Sequence, residues 1–233
     1  MYLLITALII PALLASGSVA EAGSIHGEVK FTGALPKSNR IKVTKDQDYC
    51  GEFVRDETYL VGAAGTLKNA VVFLDKAPAK PAPSGKEHIL ENSGCRFVPR
   101  ILAMIKGEKL LTKNSDAKLH IVHSYLDKRT VFNVSLPFRG HTLEVTRRID
   151  KTGVLQVNCD THAWMRGYIH VFDHPYFAVS DERGRFEIPD VPPGRYTLKA
   201  WHEGGGIQTK EITVTDVGEL KVVFEFKRGN RPT

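Results

Sequence analysis

Helical periodicity is almost absent from this chain, and that absence constrains its fold more than any other feature. In its place come short runs that alternate apolar and polar residues: SIHGEVKF, LKNAVVFLD, LEVTRRI, GVLQVNC, YIHVF, RFEIPDV, RYTLKAW and LKVVFEF, set apart by Gly, Pro, Asn and Asp clusters. A period of two sends successive side chains to opposite faces of a strand, so each run buries one face and wets the other. Many such strands predict a mainly β protein built as β-sandwiches. No stretch repeats at a fixed period. With 233 residues, 42% hydrophobic and 25% charged, the chain has room for one large or two small cores. The Pro-, Ala- and Lys-rich stretch KAPAKPAPSGKEH, residues 76 to 88, reads as an exposed connector.

The most legible local segment is VSDERGRFEIPDVPPGRYTLKAW. It predicts a turn over Asp181 to Gly184, a strand with Phe186 and Ile188 on one face, a tight turn at Pro192-Pro193-Gly194, and a strand alternating Tyr196, Leu198 and Ala200. Proline presets φ and glycine accepts φ > 0 after it, which makes Pro-Pro-Gly a hairpin device. The segment resembles the second half of a carboxypeptidase regulatory-like domain, a small β-sandwich of the carbohydrate-binding-like fold. The matching opening strands, GEVKFTG and LKNAVVFLD, lie far upstream. We therefore expect residues 24–76 and 174–229 to form one sandwich, with residues 77–173 inserted in it or adjoining it.

That insertion holds an unusual loop. GVLQVNC ends a strand at Cys159, RGYIHVF begins another, and the residues between present Cys159, His162 and Met165 at intervals of three. A thiolate, an imidazole and a thioether together suit copper, since sulfur is soft enough for Cu(I) and imidazole also serves Cu(II). Zinc would draw on more His or Cys and has little use for Met. A second histidine must come from elsewhere, and NSDAKLHIVH supplies His120 or His123. Three residues apart on a strand, these two point to opposite sides, so one faces away from the metal.

CDTHAWM is similar to the ligand loop of amicyanin-type cupredoxins, and NSDAKLHIVH to the segment that precedes it in those proteins. With CRFVPRILAMIKGEKLLTKNSD and the C-terminal segment, the chain resembles exported cupredoxin-like proteins over most of residues 24 to 229. The resemblance implies a cupredoxin-like Greek-key sandwich holding one type 1 copper on His120, Cys159, His162 and Met165, the last as weak axial ligand. There are two departures. The Asn that usually follows the first His and braces the loop is Ile121 here, and a Pro-His of the related proteins is Pro99-Arg100, which removes an extra ligand.

The other cysteines, Cys50 and Cys95, are an even pair in a chain that reads as exported, and predict a disulfide. The N-terminus, MYLLITALIIPALLASGSVAEAG, is apolar from Leu3 to about Ala15, too short and Pro-interrupted for a span but suited to a signal peptide over residues 1–22. It lacks a preceding Lys or Arg. The expected location is the periplasm or outside the cell, with no stable membrane span after cleavage. The net charge of +6 comes from scattered residues, with no clustered basic face, so no nucleic-acid partner is expected.

No phosphate loop, nucleophile elbow or zinc-protease helix occurs. The chain therefore reads as a carrier rather than an enzyme, moving single electrons between periplasmic redox partners, one of them acidic. Electrons are expected to leave through His162, with Trp164 and Arg166 as docking residues. The alternatives are a glycan-binding or surface module with a structural or vestigial metal site, and copper delivery or storage. His174 and His202 are expected to be structural, and Trp201 to lie in a core.

Overall fold

The computed structural model describes residues 23–35, 39–78, 85–216 and 218–228, and the expected signal peptide lies outside them. The chain is almost wholly β, and its strands gather around two separate apolar cores. None of its helices among the described residues is long and apolar enough to cross a membrane.

The first core is closed by strands from both ends of the chain. Gly23–Phe31 lies between Arg185–Val191, antiparallel, and Glu219–Phe226, parallel. Facing it is a four-stranded sheet in the order Phe177–Val179, Val71–Asp75, Gly194–His202, Gly206–Val214. Ile25, Val29, Leu74, Ile188, Leu198 and Phe224 are fully buried between them, the inward half of each alternation. Gly27 is required here by close approach, since a Cβ would stand 2.0 Å from the Val222 carbonyl oxygen. The Asp181 turn forms as the sequence predicts, with Gly184 at φ +71. Pro192-Pro193-Gly194 turns the chain but is not the expected hairpin: Arg185–Val191 pairs with Gly23–Phe31, and Gly194–His202 pairs with Val71–Asp75 and Gly206–Val214. The chain thus passes here from one sheet to the facing one, with the Tyr196 hydroxyl donating to the Pro192 carbonyl across the bend.

The second core is built from one unbroken stretch of chain. Five strands run in the order Arg129–Leu136, His120–Leu126, Gly153–Cys159, Arg166–Phe172, Ile101–Ile105. They face Thr142–Glu144, Lys109–Asn114, Glu87–Asn92 and Phe97–Val98. Leu90, Met104, Leu110, Val122, Val157 and Ile169 fill the space between. LEVTRRI is only half a strand: pairing stops at Glu144 and a 3₁₀ turn follows at Thr146–Arg148, which lets Val145 turn inward.

The two sandwiches are joined by the outer face of Arg166–Phe172. Ile169 and Val171 point into the second core, while Tyr168, His170 and Phe172 point at the first sandwich. There they meet Trp201 and Phe73, so Trp201 is a junction residue rather than a core one. Arg100 crosses the same boundary in a two-pronged ion pair with Glu203, its Nε and Nη2 donating over 2.5 and 2.8 Å. The position that lacks a histidine thus serves as a structural tie.

Residues 39–57 depart from the expectation that 24–76 belong to the first sandwich. The hairpin Arg40–Lys42 with Phe53–Arg55 and the short helix Gln47–Cys50 lie over one end of the second sandwich, fastened by the Cys50–Cys95 disulfide. Ion pairs from Lys118 to Asp46 and Asp48, and from Arg96 to Glu57, add to the attachment.

Candidate metal centre

Strand alternation sets up the centre. In His120–Leu126, His120, Val122 and Ser124 point inward and are fully buried, while His123 and Tyr125 point out. The neighbouring strand Gly153–Cys159 turns Leu155, Val157 and Cys159 to the same inner face, and Cys159 pairs with Val122. His120 therefore stands beside Cys159. The loop that follows folds back at once, His162 N–H donating to the Cys159 carbonyl and Met165 N–H to that of His162.

The brace missing at Ile121 comes from other atoms. Asp160 N–H donates to the Ile121 carbonyl, and the Thr161 hydroxyl donates to the Leu119 carbonyl while lying 3.0 Å from Cys159 Sγ.

Three donor atoms meet at one end of the second core. His120 Nδ1 is 3.6 Å and His162 Nδ1 3.7 Å from Cys159 Sγ, and the two nitrogens are 3.1 Å apart. A point at the centre of this triangle lies about 2.0 Å from all three, close to the bonding distance of imidazole nitrogen to a borderline metal. Cys159 is the free cysteine among the described residues, and it is buried, as are both histidines. Met165 is buried in the same core.

Each histidine turns its outer nitrogen to a carboxylate. His120 Nε2 is 3.0 Å from Asp116 Oδ2, and His162 Nε2 is 2.9 Å from Asp46 Oδ2. Such contacts fix the ring and direct Nδ1 inward. Asp116 is held in turn by the backbone N–H groups of Gly94 and Cys95 and by the Tyr49 hydroxyl. Asp46 has left-handed backbone (φ 54), which Asp tolerates better than most residues, and it opens the helix that ends at Cys50.

Burial alone would raise the Cys159 thiol. Contacts to His120, His162, Thr161 and the Ile121 backbone outweigh it and bring the thiol down to about 5. Burial would likewise lower His120, but Asp116 and Cys159 lift it to about 9. The metal-free centre at neutral pH is thus a thiolate beside an imidazolium, and a cation entering it displaces the imidazolium proton. Thiolate plus two imidazole nitrogens is a donor set that copper fits.

Sequence reasoning missed both carboxylates. Asp116 stands in the segment NSDAKLHIVH, but only the loop fold shows that it meets His120 four residues on. Asp46 is 116 residues from His162, and nothing in the sequence links them.

Asp46 also overturns the expectation that His162 reaches the surface. The His162 ring is fully buried beneath residues 39–57. Trp164 is half-buried, its indole N–H donating to the Cys95 carbonyl and its ring against His162, so it packs more than it projects. Arg166 is exposed. His174 and His202 do not join a second metal cluster; each Nδ1 accepts a local backbone N–H, from Tyr176 and Gly204.

A protein-family model described as polysaccharide lyase family 4, domain II, matches residues 159–221, from the metal loop into the first sandwich. This is a different description from the carboxypeptidase regulatory-like resemblance of the C-terminal segment. No curated protein matches the chain. Among solved structures, a copper-containing nitrite reductase from Thermus scotoductus SA-01 is similar at 22% identity and a TM-score of 0.32, over 42% of this chain and 27% of that one. A purple cupredoxin from Nitrosopumilus maritimus is similar at 23% identity and 0.31, over 36% and 97%. An amicyanin variant in its reduced state is similar at 15% identity and 0.33, over 43% and 97%.

Proposed function

We propose that the protein is an exported type 1 copper protein that carries single electrons between redox partners outside the cytoplasm. The observation behind this reading is the buried triangle of Cys159 Sγ and the two histidine Nδ1 atoms, spaced for one ion. Copper, when bound, supplies a one-electron couple between Cu(I) and Cu(II). The chain's part is to hold a donor geometry acceptable to both states, with Met165 as the weak fourth ligand. Asp116 and Asp46 keep the imidazoles from turning, and the cap of residues 39–57 keeps water away.

A closed centre also speaks against copper delivery, because exchange would require residues 39–57 to lift from His162. With His162 sealed, the exchange surface in this reading lies at Leu119 and Thr161. The Leu119 side chain is exposed, and the Thr161 hydroxyl is in contact with Cys159 Sγ. The exposed Arg166 favours an acidic partner.

The visible spectrum tests the reading. Copper-loaded, oxidised protein is expected to bind one copper at this centre and to show an intense thiolate-to-copper band, which Cys159→Ser abolishes while the far-UV circular dichroism stays unchanged. Full colour in that variant would overturn the assignment. Copper that cannot be cycled between its two states, with glycan binding indifferent to copper, would favour the binding-module alternative.

A further inference from the structure

His123 is left over by the centre just described, and it is crowded. It sits on the outer face of the five-stranded sheet, with Asn133 as its partner on one side and Asn158 on the other. Around its Nδ1 lie Tyr125 Oη at 2.7 Å, Asp160 Oδ2 at 3.0 Å, Asp160 Oδ1 at 3.1 Å and Asn133 Nδ2 at 3.1 Å. An imidazole nitrogen has one lone pair or one proton and can satisfy one partner in its plane. The Asp160 carboxylate, the Tyr125 hydroxyl and the Asn133 amide are three groups within hydrogen-bond distance, more than it can serve.

A cation resolves the crowding. Donors at right angles to one another, each about 2.1 Å from an ion, are about 3.0 Å apart, which is the spacing between Nδ1 and the Asp160 oxygens, with Tyr125 Oη closer to Nδ1 at 2.7 Å. The ring is already oriented for such a role. Nε2 contacts Thr130 Oγ1 at 2.9 Å, the face stacks on Tyr125 at 4.1 Å, and Asn133 Nδ2 holds Asp160 Oδ2 at 3.1 Å. The His123 side chain is 15% and the Asp160 side chain 39% exposed, so an ion can arrive from solvent.

We propose that His123, Asp160 and Tyr125 form a second metal site, for a divalent ion of borderline character such as Cu(II) or Zn(II). An imidazole, a carboxylate and a phenol oxygen contain no sulfur, so Cu(I) is disfavoured. The sheet separates this site from the buried one, but Asp160 follows Cys159 directly, and one peptide link would join the two ions. The proposal does not depend on the type 1 reading.

The test uses the full chain, metal-free and then titrated with Cu(II), with bound metal, the visible band and the electron paramagnetic resonance spectrum read together. Wild type is expected to hold two ions, one giving the thiolate band and one without it. His123→Ala should keep the band and hold one ion, with Asp160→Asn doing the same. Cys159→Ser should lose the band and still hold one ion, with a tetragonal Cu(II) signal. Equal stoichiometry in wild type and His123→Ala would overturn the proposal, and that pair decides it even if Cys159→Ser fails to fold. A wild type with no thiolate band, whose single ion is lost in His123→Ala, would sink the copper-carrier reading and uphold this site.

Discussion

The two sandwiches share an architecture and differ in what they bury. The first closes mainly on aliphatic and aromatic side chains, and burial holds the pKa values of its histidines His174 and His202 below the ordinary imidazole value. The second buries a polar chain that runs from Asn92, Asn114 and Asp116 to His120 and Cys159, each member hydrogen-bonded to the next element. Buried polar groups cost stability unless every partner is present. The first sandwich therefore stands on its own packing, whereas the second needs outside help. It gets that help from residues 39–57, held by one disulfide.

Removing that disulfide is the harshest test of the difference. Closing a loop of 45 residues contributes about 4 kcal/mol in the chain-entropy account. Replacing Cys50 and Cys95 together by Ala should destabilise the second sandwich by about that amount and weaken its hold on copper, with little effect on the first. Calorimetry should show one transition moving down and the other nearly still. Two transitions falling together would mean that the junction of Tyr168, His170, Phe172, Trp201 and the Arg100–Glu203 pair makes the two cores one cooperative unit.

Acid should act on the other side of the comparison. Burial holds His170 down at about 3 and His202 down at about 4, against an ordinary value near 6.5. The unfolded chain thus takes up protons that the folded one refuses. The stability is fully present above about pH 6.5 and is lost as pH falls toward 4, at about 1.4 kcal/mol per pH unit for each histidine. Both residues lie in the first sandwich or at the junction and act together there, against the one depressed thiol, Cys159, in the second core, so acid below about pH 6.5 is expected to loosen those regions first. His202→Gln should flatten the pH dependence of urea midpoints between pH 4 and 6.5; an unchanged slope would show that the acid-sensitive group lies elsewhere.

What the sequence discloses follows the same line. Strands such as GVLQVNC and RFEIPDV are legible because alternation is a local property and their inward residues are apolar. HIVHSYL hides its strand, since the inward face carries His120 and Ser124 as well as Val122, and polarity no longer marks the outside. The Cys159–His162 loop is legible because its donors are close in sequence, and the disulfide because the remaining cysteines are two. The cap is illegible: residues 39–57 carry no pattern of their own, and the contacts from Asp46, Tyr49 and Cys50 span 116, 67 and 45 residues. Long-range polar contacts are specified by the fold and leave no period to read.

The gentlest change, at Asp46, asks whether the cap belongs to the metal centre or only covers it. Its carboxylate is 2.9 Å from His162 Nε2, and Lys118 lies 3.3 Å from its other oxygen. A negative group on the outer nitrogen makes the imidazole a better donor and favours the more highly charged metal state. Asp46→Asn keeps the size and a hydrogen bond while removing the charge, so the fold should survive. Metal affinity should fall by about tenfold, the lower end for groups that orient a ligand. If the loss falls mainly on Cu(II), the reduction potential rises by about 59 mV. Asp48→Asn is the matched control, because Asp48 shares Lys118 but is largely exposed and does not touch His162. Direct voltammetry on the copper-loaded variants would separate the two. A rise in Asp46→Asn alone places the cap in the centre's electronics, and equal small shifts in both variants would reduce Asp46 to one more surface charge.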